Sequence, residues 1–236
     1  MIKSKVPYFL SVVLMMLTPM HAQAQTLEDL VGLMQKTYSA DVQEKNLQLQ
    51  MTLDHDEPGY FGGGSVDQNI FSISIGADIM KLKAMNSDAT AFILCHEMGH
   101  LLGGEPRKTT STWASTEGQA DYFAATSCLR RIFSLPEMAS TERSYIDPRI
   151  TALCEQSQKE ATEVAMCSRI MAAGQSLFAA IYFFIDVPQM IHPDLGTPEK
   201  PLGPDQNVNY PTLQCRLDTV VAGAQLLERP ACWYKK

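Results

Sequence analysis

The chain has 236 residues, of which 45% are hydrophobic and 19% are charged, the composition of an ordinary globular protein. Its formal net charge of −7 at pH 7 argues against nucleic acid or an anionic membrane surface as a partner. The length is enough for one domain with a proper core.

The first 24 residues have the pattern of a secretory signal peptide. Two lysines precede residues 6–17, an apolar stretch too short to span a bilayer, and Ala22-Gln23-Ala24 is a small-x-small cleavage site. We therefore expect cleavage near Ala24, a single mature domain of residues 25–236, and a periplasmic or secreted location. No later stretch approaches the roughly 20 apolar residues of a transmembrane helix, so stable membrane insertion of the mature chain is not expected.

A helix and two strands are predicted at the start of the mature chain. Residues 26–39 have apolar side chains at helical spacing, which predicts an amphipathic helix. Residues 47–53 and 71–75 alternate apolar and polar side chains, which predicts two strands with one buried face each. The four glycines within residues 59–64 predict a mobile loop between these strands.

The next element contains the motif His96-Glu97-Met98-Gly99-His100. Asn86 or Ser87 can begin a helix here and Gly103 can end it. Histidines four positions apart on a helix project from one face, at a separation that a single Zn²⁺ can bridge. Glu97 is turned about 100° away from that pair, so its carboxylate is available as a general base toward metal-bound water.

A second motif, E-G-Q-A-D, begins at Glu117, 17 positions after His100. Thr116 and Gln119 have the spacing of a capping box, which predicts the start of a helix. Glu117 is then the third zinc ligand, and Asp121, one turn on, holds a ligand histidine in the correct tautomer. The second motif makes a chance match of the first much rarer.

Three more helices complete the predicted fold, near residues 148–156, 161–185 and 211–227. A connector rich in proline and glycine, residues 193–204, leads from the second of these back toward the two motifs. The order of elements predicts an α+β fold, mostly helical, with a small sheet packed on the His96 helix. Four aromatic side chains on the long helix are predicted to be core residues. They are Phe178, Tyr182, Phe183 and Phe184.

All the cysteines lie after the leader, and their even number fits disulfides formed in an oxidising compartment. Cys154 with Cys167 is the preferred pair, provided that the helix breaks between them. Cys215 with Cys232 is disfavoured, because a helix reaching residue 227 would carry the chain about 18 Å away and five residues could only just return. The full set is Cys95, Cys128, Cys154, Cys167, Cys215 and Cys232.

The two motifs resemble those of the gluzincin metallopeptidases of the CAAX prenyl protease and bacterial heat-shock membrane protease type, whose second motif is E-x-x-A-D. The similarity covers residues 69–132 well and residues 210–227 weakly. That family has a His-Pro pair with an arginine six residues after the histidine, and here Tyr210-Pro211 is followed by Arg216. The resemblance implies that Arg216 stabilises the site or the tetrahedral oxyanion. Tyr210 takes the place of the family's histidine, and its phenol can still donate a hydrogen bond to an oxyanion.

The strand before the His96 helix has a functional interpretation as well as a structural one. In zinc peptidases of this design, the edge strand beside the metal binds the substrate as an added antiparallel strand. An ordinary sheet strand covered by the glycine-rich loop is an equally good interpretation. The residues concerned are Asn69, Phe71, Ile73 and Ile75.

The sequence therefore predicts an exported zinc metalloendopeptidase with a zincin-like fold, a hydrolase that binds one Zn²⁺ per chain and cuts polypeptide substrates. His96, His100 and Glu117 would bind the metal, and Glu97 would move a proton from water to the leaving amine. Two alternatives stay open. One is a periplasmic assembly or holding factor with a metal-stabilised peptidase fold and little activity, and the other is an amidase acting on cell-wall peptide. Nothing in the sequence points to a particular oligomeric state.

Overall fold

A computed structural model of the chain describes residues 25–139, 146–185, 192–201 and 209–235. The signal peptide predicted at residues 1–24 and part of the predicted connector lie outside these ranges. Within them the fold is α+β, as expected, with helices predominating and one small three-stranded sheet.

Helix α1 (Leu27–Gln43) begins at a capping box. The Thr26 hydroxyl accepts a hydrogen bond from the Asp29 N–H, and the Asp29 carboxylate accepts one from the Thr26 N–H. The helix runs four residues beyond its predicted end, because Tyr38 and Val42 are buried and extend the apolar side by another turn. That side packs against the first strand of the sheet.

The sheet contains β1 (Gln48–Asp54), β2 (Gly63–Asp67) and β3 (Ile70–Gly76), in the order β1-β3-β2. Strand β3 pairs in parallel with β1 and antiparallel with β2. The two predicted strands are confirmed, but the glycine-rich segment between them is only partly a loop, because β2 begins at Gly63. None of the residues of β2 is fully buried, so the apolar alternation that identifies a strand is missing from its sequence.

The strand expected to bind substrate at the sheet edge, β3, is in fact the central strand. Its side chains Phe71, Ile73 and Ile75 are buried in the core, and Asn69 lies in the turn that joins β2 to β3. A strand paired on both sides has no free backbone groups with which to bind an added strand. The predicted edge position of these residues is therefore wrong, and β2 lies at the edge instead.

Helix α2 (Ser87–Leu102) forms the centre of the protein and packs against α1, the sheet and four later helical elements. It begins at Asn86, whose side chain accepts from the Ala89 N–H, and Gly103 follows its last residue. Every residue from Asp88 to Leu101 is buried, including the polar ones of the first motif. A helix buried on all sides removes most of the contact between these polar groups and bulk water, which costs free energy wherever no partner replaces it.

Helix α3 (Glu117–Phe123) follows Thr116 and continues through a π-helical segment (Ala124–Cys128) into α4 (Leu129–Phe133). A two-residue turn separates α4 from the short α5 (Pro136–Ala139). The predicted capping box at the start of α3 is wrong. The Thr116 side chain makes no capping hydrogen bond, and Gln119 Nε2 instead donates to the Gly103 carbonyl at 2.6 Å. This bond ties the start of α3 to the end of α2.

The remaining helices are α6 (Pro148–Ser157), α7 (Ala161–Ile185) and α8 (Leu213–Ala224). Helix α7 packs against α2, α6 and α8. Among the described residues it is the one helix long and apolar enough to cross a membrane, so the expectation that no such stretch follows the leader is wrong. Somewhat more than half of its most apolar stretch is buried inside the protein, which accounts for its composition.

Three disulfides use all the cysteines. Cys154–Cys167 is confirmed, and the helix breaks between α6 and α7 as that pair requires. Cys215–Cys232 forms although it was disfavoured. Helix α8 ends at Ala224, about 14 Å beyond Cys215, so eight residues rather than five are available for the return.

The third disulfide, Cys95–Cys128, joins the centre of α2 to the end of the π-helical segment. Three disulfides are typical of proteins that fold in an oxidising space outside the cytoplasm. They therefore support the predicted extracytoplasmic location.

Candidate metal centre

The three predicted metal ligands form a single buried cluster. His96 and His100 lie one turn apart on α2, and Glu117 is the first residue of α3. The Nε2 atom of His96 lies 3.1 Å from one oxygen of Glu117, and the Nε2 atom of His100 lies 3.5 Å from the other. One ligand atom from each residue lies within 4.8 Å of the other two, so the group could hold a metal ion.

Gly99 allows α2 and α3 to approach closely enough to form this cluster. A Cβ atom added at Gly99 would lie 2.7 Å from the Ala120 carbonyl oxygen and 2.9 Å from its Cα atom, which is closer than van der Waals contact permits. Only glycine therefore fits at this point of the first motif. The close crossing brings the Glu117 carboxylate opposite the two histidines.

Hydrogen bonds on the far side of each ring engage the two Nδ1 atoms and fix the ring orientations. His100 Nδ1 lies 2.8 Å from the Ser115 carbonyl oxygen, which can only accept, so this nitrogen carries a proton. His96 Nδ1 lies 2.7 Å from the Asp121 carboxylate. Both Nε2 atoms are thereby available toward Glu117. Two imidazole nitrogens and a carboxylate oxygen are a donor set that suits zinc.

Asp121 is fully buried and is bound by Arg216 of α8, 95 residues further along the chain. The guanidinium donates from Nε to Oδ2 at 2.7 Å and from Nη2 to Oδ1 at 2.9 Å. The same Nη2 lies 3.7 Å from Glu117. Both residues thus lie next to the cluster, and the Arg216 guanidinium is hydrogen-bonded to Asp121.

The charges of the cluster shift its pKa values strongly. Burial alone would lower the pKa of His96, but Asp121 and Glu117 together raise it to about 10. Burial and the charge of His96 lower the pKa of His100 to about 3. Burial would raise the pKa of Glu117, but His96 and Arg216 lower it well below its usual range, and Asp121 is affected in the same direction. The two carboxylates are therefore ionised at neutral pH.

Glu97 lies beside the cluster but is not part of it. It is buried, and its carboxylate faces the edge strand, since a Cβ atom built on Gly64 would lie 3.5 Å from its Oε2. Within the described residues, no hydrogen bond ties this carboxylate to another group. Burial raises the pKa of Glu97, and Glu117 adds to this effect against the opposing charge of His96. A carboxylate that has a raised pKa and is not held by a hydrogen bond is suited to proton transfer.

A cavity of about 760 Å³ opens over the cluster. Tyr210, which the resemblance implied together with Arg216, lines its mouth with 64% of its surface exposed. Much of the remaining wall is apolar and comes from the end of α7 and from the segment before β2. The apolar residues of the wall include Phe61, Ile93, Leu177, Ile181, Phe184 and Ile185.

Two features of this cavity were not predicted. Phe184 lines the wall with 48% of its surface exposed and Phe183 is 40% exposed, so their assignment to the core is wrong. They lie on the last turn of α7, beyond the elements that cover the rest of the helix. Lys108 also lines the cavity, and its Nζ lies 2.7 Å from Glu117. It belongs to the segment between the two motifs, where no helical spacing identifies a side chain that points inward.

Comparison of the chain with protein-family models, with curated proteins and with solved structures finds no match. What bears on function is thus the arrangement of the side chains themselves. It consists of a buried two-histidine, one-glutamate cluster, a second glutamate beside it, and a large cavity above both.

Proposed function

We propose that the protein is an exported zinc metalloendopeptidase of the gluzincin type, with a zincin-like fold, that hydrolyses peptide bonds in polypeptide substrates. The observation that carries the proposal is the position of the His96, His100 and Glu117 cluster at the base of a large cavity, with Glu97 beside it. Catalytic zinc sites have three protein ligands and one open position, whereas structural zinc sites are closed by four.

The residues present fit a zinc ion. His96 and His100 would bind it through Nε2, because their Nδ1 atoms are engaged by Asp121 and the Ser115 carbonyl. Glu117 would supply the third ligand atom. A bound zinc ion supplies a Lewis acid that polarises a peptide carbonyl and lowers the pKa of a water molecule.

Glu97 accepts a proton from the attacking water and returns it to the leaving amine. Its raised pKa suits both steps, because a stronger base accepts the first proton more readily at neutral pH. Arg216 neutralises the Asp121 carboxylate and so holds the partner of His96 in place. Tyr210, at the mouth of the cavity, donates a hydrogen bond from its phenolic O–H to the oxygen on which negative charge develops.

Strand β2 supports a polypeptide as the substrate. Within the described residues it pairs only with β3, so its outer edge is open to an extended chain. Gly62, Gly63 and Gly64 line the cavity next to Glu97, where the absence of side chains lets a substrate backbone approach. This strand takes the role that the sequence assigned to β3.

The decisive test compares the wild type with Glu97→Gln. The wild type should bind one zinc ion per chain and cut unstructured polypeptides, whereas Glu97→Gln should keep its zinc and fold but lose hydrolysis by about 100-fold or more. His96→Ala is the matched control that should lose the metal as well. Zinc content is measured by atomic emission and cleavage by mass spectrometry. Equal hydrolysis by the wild type and Glu97→Gln, or a wild type without zinc, would contradict the proposal.

A holding factor is the second candidate, and it is favoured by the exposed apolar residues Phe184 and Ile185 at the cavity mouth. Such residues bind unfolded chains whether or not these are cut. Cells that carry only the Glu97→Gln form separate the two functions. A phenotype like that of a complete deletion supports proteolysis, and full rescue supports holding.

A further inference from the structure

Each of the three ligand side chains contacts a neighbour that fixes its direction. For the two histidines, these neighbours are the Asp121 carboxylate and the Ser115 carbonyl described above. For Glu117 the neighbour is Lys108, whose Nζ lies 2.7 Å from Oε1. This last contact has no part in the proposed reaction.

Lys108 belongs to an ordered segment. Its backbone N–H donates to the Ala114 carbonyl at 2.8 Å, and the Thr116 N–H donates to the Pro106 carbonyl at 2.9 Å. The two sides of the segment therefore pair like a small hairpin that ends immediately before Glu117. The backbone of Lys108 and that of Glu117 belong to one hydrogen-bonded unit. This unit fixes the position of the Lys108 ammonium relative to the Glu117 carboxylate.

The Lys108 ammonium contacts one of the two oxygens of the Glu117 carboxylate. Lys108 binds Oε1, which also lies 3.5 Å from His100 Nε2, while Oε2 lies 3.1 Å from His96 Nε2. The Lys108 side chain is 27% exposed and that of Glu117 is 6% exposed, so the bond lies between the buried cluster and the wall of the cavity. A charge-assisted bond in such surroundings is stronger than one at the surface.

We propose that Lys108 is a positioning residue for the metal ligand Glu117. Its ammonium holds Oε1, which lies 3.5 Å from His100 Nε2, and thereby keeps Oε2 directed toward His96 Nε2. The inference rests on the metal centre of the proposed function and does not depend on peptide hydrolysis.

The test is the zinc affinity, measured by competition with a chromophoric chelator. Lys108→Gln should bind zinc about 10- to 100-fold more weakly than the wild type, the usual cost of removing a partner of a metal ligand. Lys108→Arg keeps a cation within reach and should restore most of the affinity. Lys45→Gln, at an exposed position after α1, makes the same change in net charge and should have no effect.

A double-mutant cycle shows whether Lys108 acts through Glu117. Glu117→Gln weakens zinc binding by itself, and Lys108→Gln should add nothing further in that background. A lysine that only supports the local fold would lower the affinity in both backgrounds by the same factor. If Lys108→Gln does not fold, as judged by circular dichroism, Lys108→Met takes its place, because it keeps the apolar stem and removes only the charge.

Unchanged or tighter zinc binding by the neutral variant would overturn the inference. Tighter binding would mean that the ammonium and the metal compete for the same carboxylate. Equal losses in both backgrounds of the cycle would overturn it too. A wild type that binds no zinc would overturn the proposed function together with the inference, whereas a wild type that binds zinc as tightly as Lys108→Gln would overturn the inference alone.

Discussion

The Asp121 carboxylate joins two parts of the chain that are 95 residues apart, because it accepts hydrogen bonds from Arg216 on one side and contacts His96 on the other. Asp121→Asn would leave Arg216 buried without its anion. Breaking such a pair costs about 3–5 kcal/mol, so we expect a loss of that size in the free energy of unfolding, together with weaker zinc binding. Denaturant unfolding and chelator competition measure the two effects.

Asp41→Asn is the control for this prediction, because Asp41 pairs with Arg131 at the surface. Exposed ion pairs contribute little, so this variant should unfold like the wild type. An Asp121→Asn protein of wild-type stability would mean that Arg216 finds another partner.

The positions of the individual side chains in the site can be predicted from the sequence to different extents. His96, His100 and Glu97 lie within one turn of a helix, so their relative directions follow from helical geometry alone. The Arg216–Asp121 contact joins two helices that are far apart in the sequence, and only the resemblance indicated that Arg216 lies near the site. Lys108 lies in a segment without regular periodicity, so no local rule shows that its ammonium reaches the ligand cluster.

Helices α2 and α3 cross at Gly99, and this contact sets the distance between the two histidines and Glu117. Gly99→Ala would force the helices apart, at a cost of about 1–3 kcal/mol for overpacking, and would weaken zinc binding as well. Gly32→Ala is the matched control, since nothing lies within 4 Å of the added Cβ atom on α1. That variant should be neutral or more stable by about 0.5–1 kcal/mol. Wild-type zinc affinity in Gly99→Ala would contradict the prediction.

The end of α7 presents two adjacent phenylalanines to different surroundings. Phe184 lines the cavity, whereas Phe183 lies under the Lys83 ammonium, 3.8 Å from its ring centre, and is not part of the cavity wall. If the proposed function holds, Phe184→Ala should lower kcat/KM about tenfold for peptides with a large apolar residue next to the cut bond. Peptides with alanine there should be affected less.

Phe183→Ala is the control in the same assay, and it should cut both peptides like the wild type. Equal effects of the two substitutions would mean that the end of α7 supports the fold and does not contact substrate. An equal loss of kcat/KM for all peptides in Phe184→Ala would also mean that this residue supports the fold and does not contact substrate.

The regular elements were predictable where periodicity is strong and uninterrupted. The buried stripe of α1 and the alternation in β1 and β3 gave their types correctly. Strand β2 was missed because glycines and small polar residues show no alternation, and without it the position of β3 in the sheet was assigned wrongly. Pairing order depends on contacts between strands that a single sequence does not display.

At the scale of the whole molecule, metal binding and folding should be coupled. Zinc that binds only the folded chain stabilises it by about 4 kcal/mol at a free concentration of a thousand times Kd. Chelation should therefore lower Tm, and added zinc should restore it. His96→Ala should melt at the same temperature with and without zinc. A wild-type Tm that does not respond to zinc would contradict this coupling.

The Cys95–Cys128 disulfide has a consequence for how the protein matures. It joins the residue before His96 to a residue beyond Asp121, so one covalent ring contains all three candidate ligands, Glu97 and Lys108. Closing a ring with a separation of 33 residues lowers the entropy of the unfolded chain by the equivalent of about 4 kcal/mol. The ligands of an oxidised chain thus stay near one another even when the fold opens. We expect oxidation to come first and metal loading second, so a copy retained in the reducing cytosol would compete poorly for the ion.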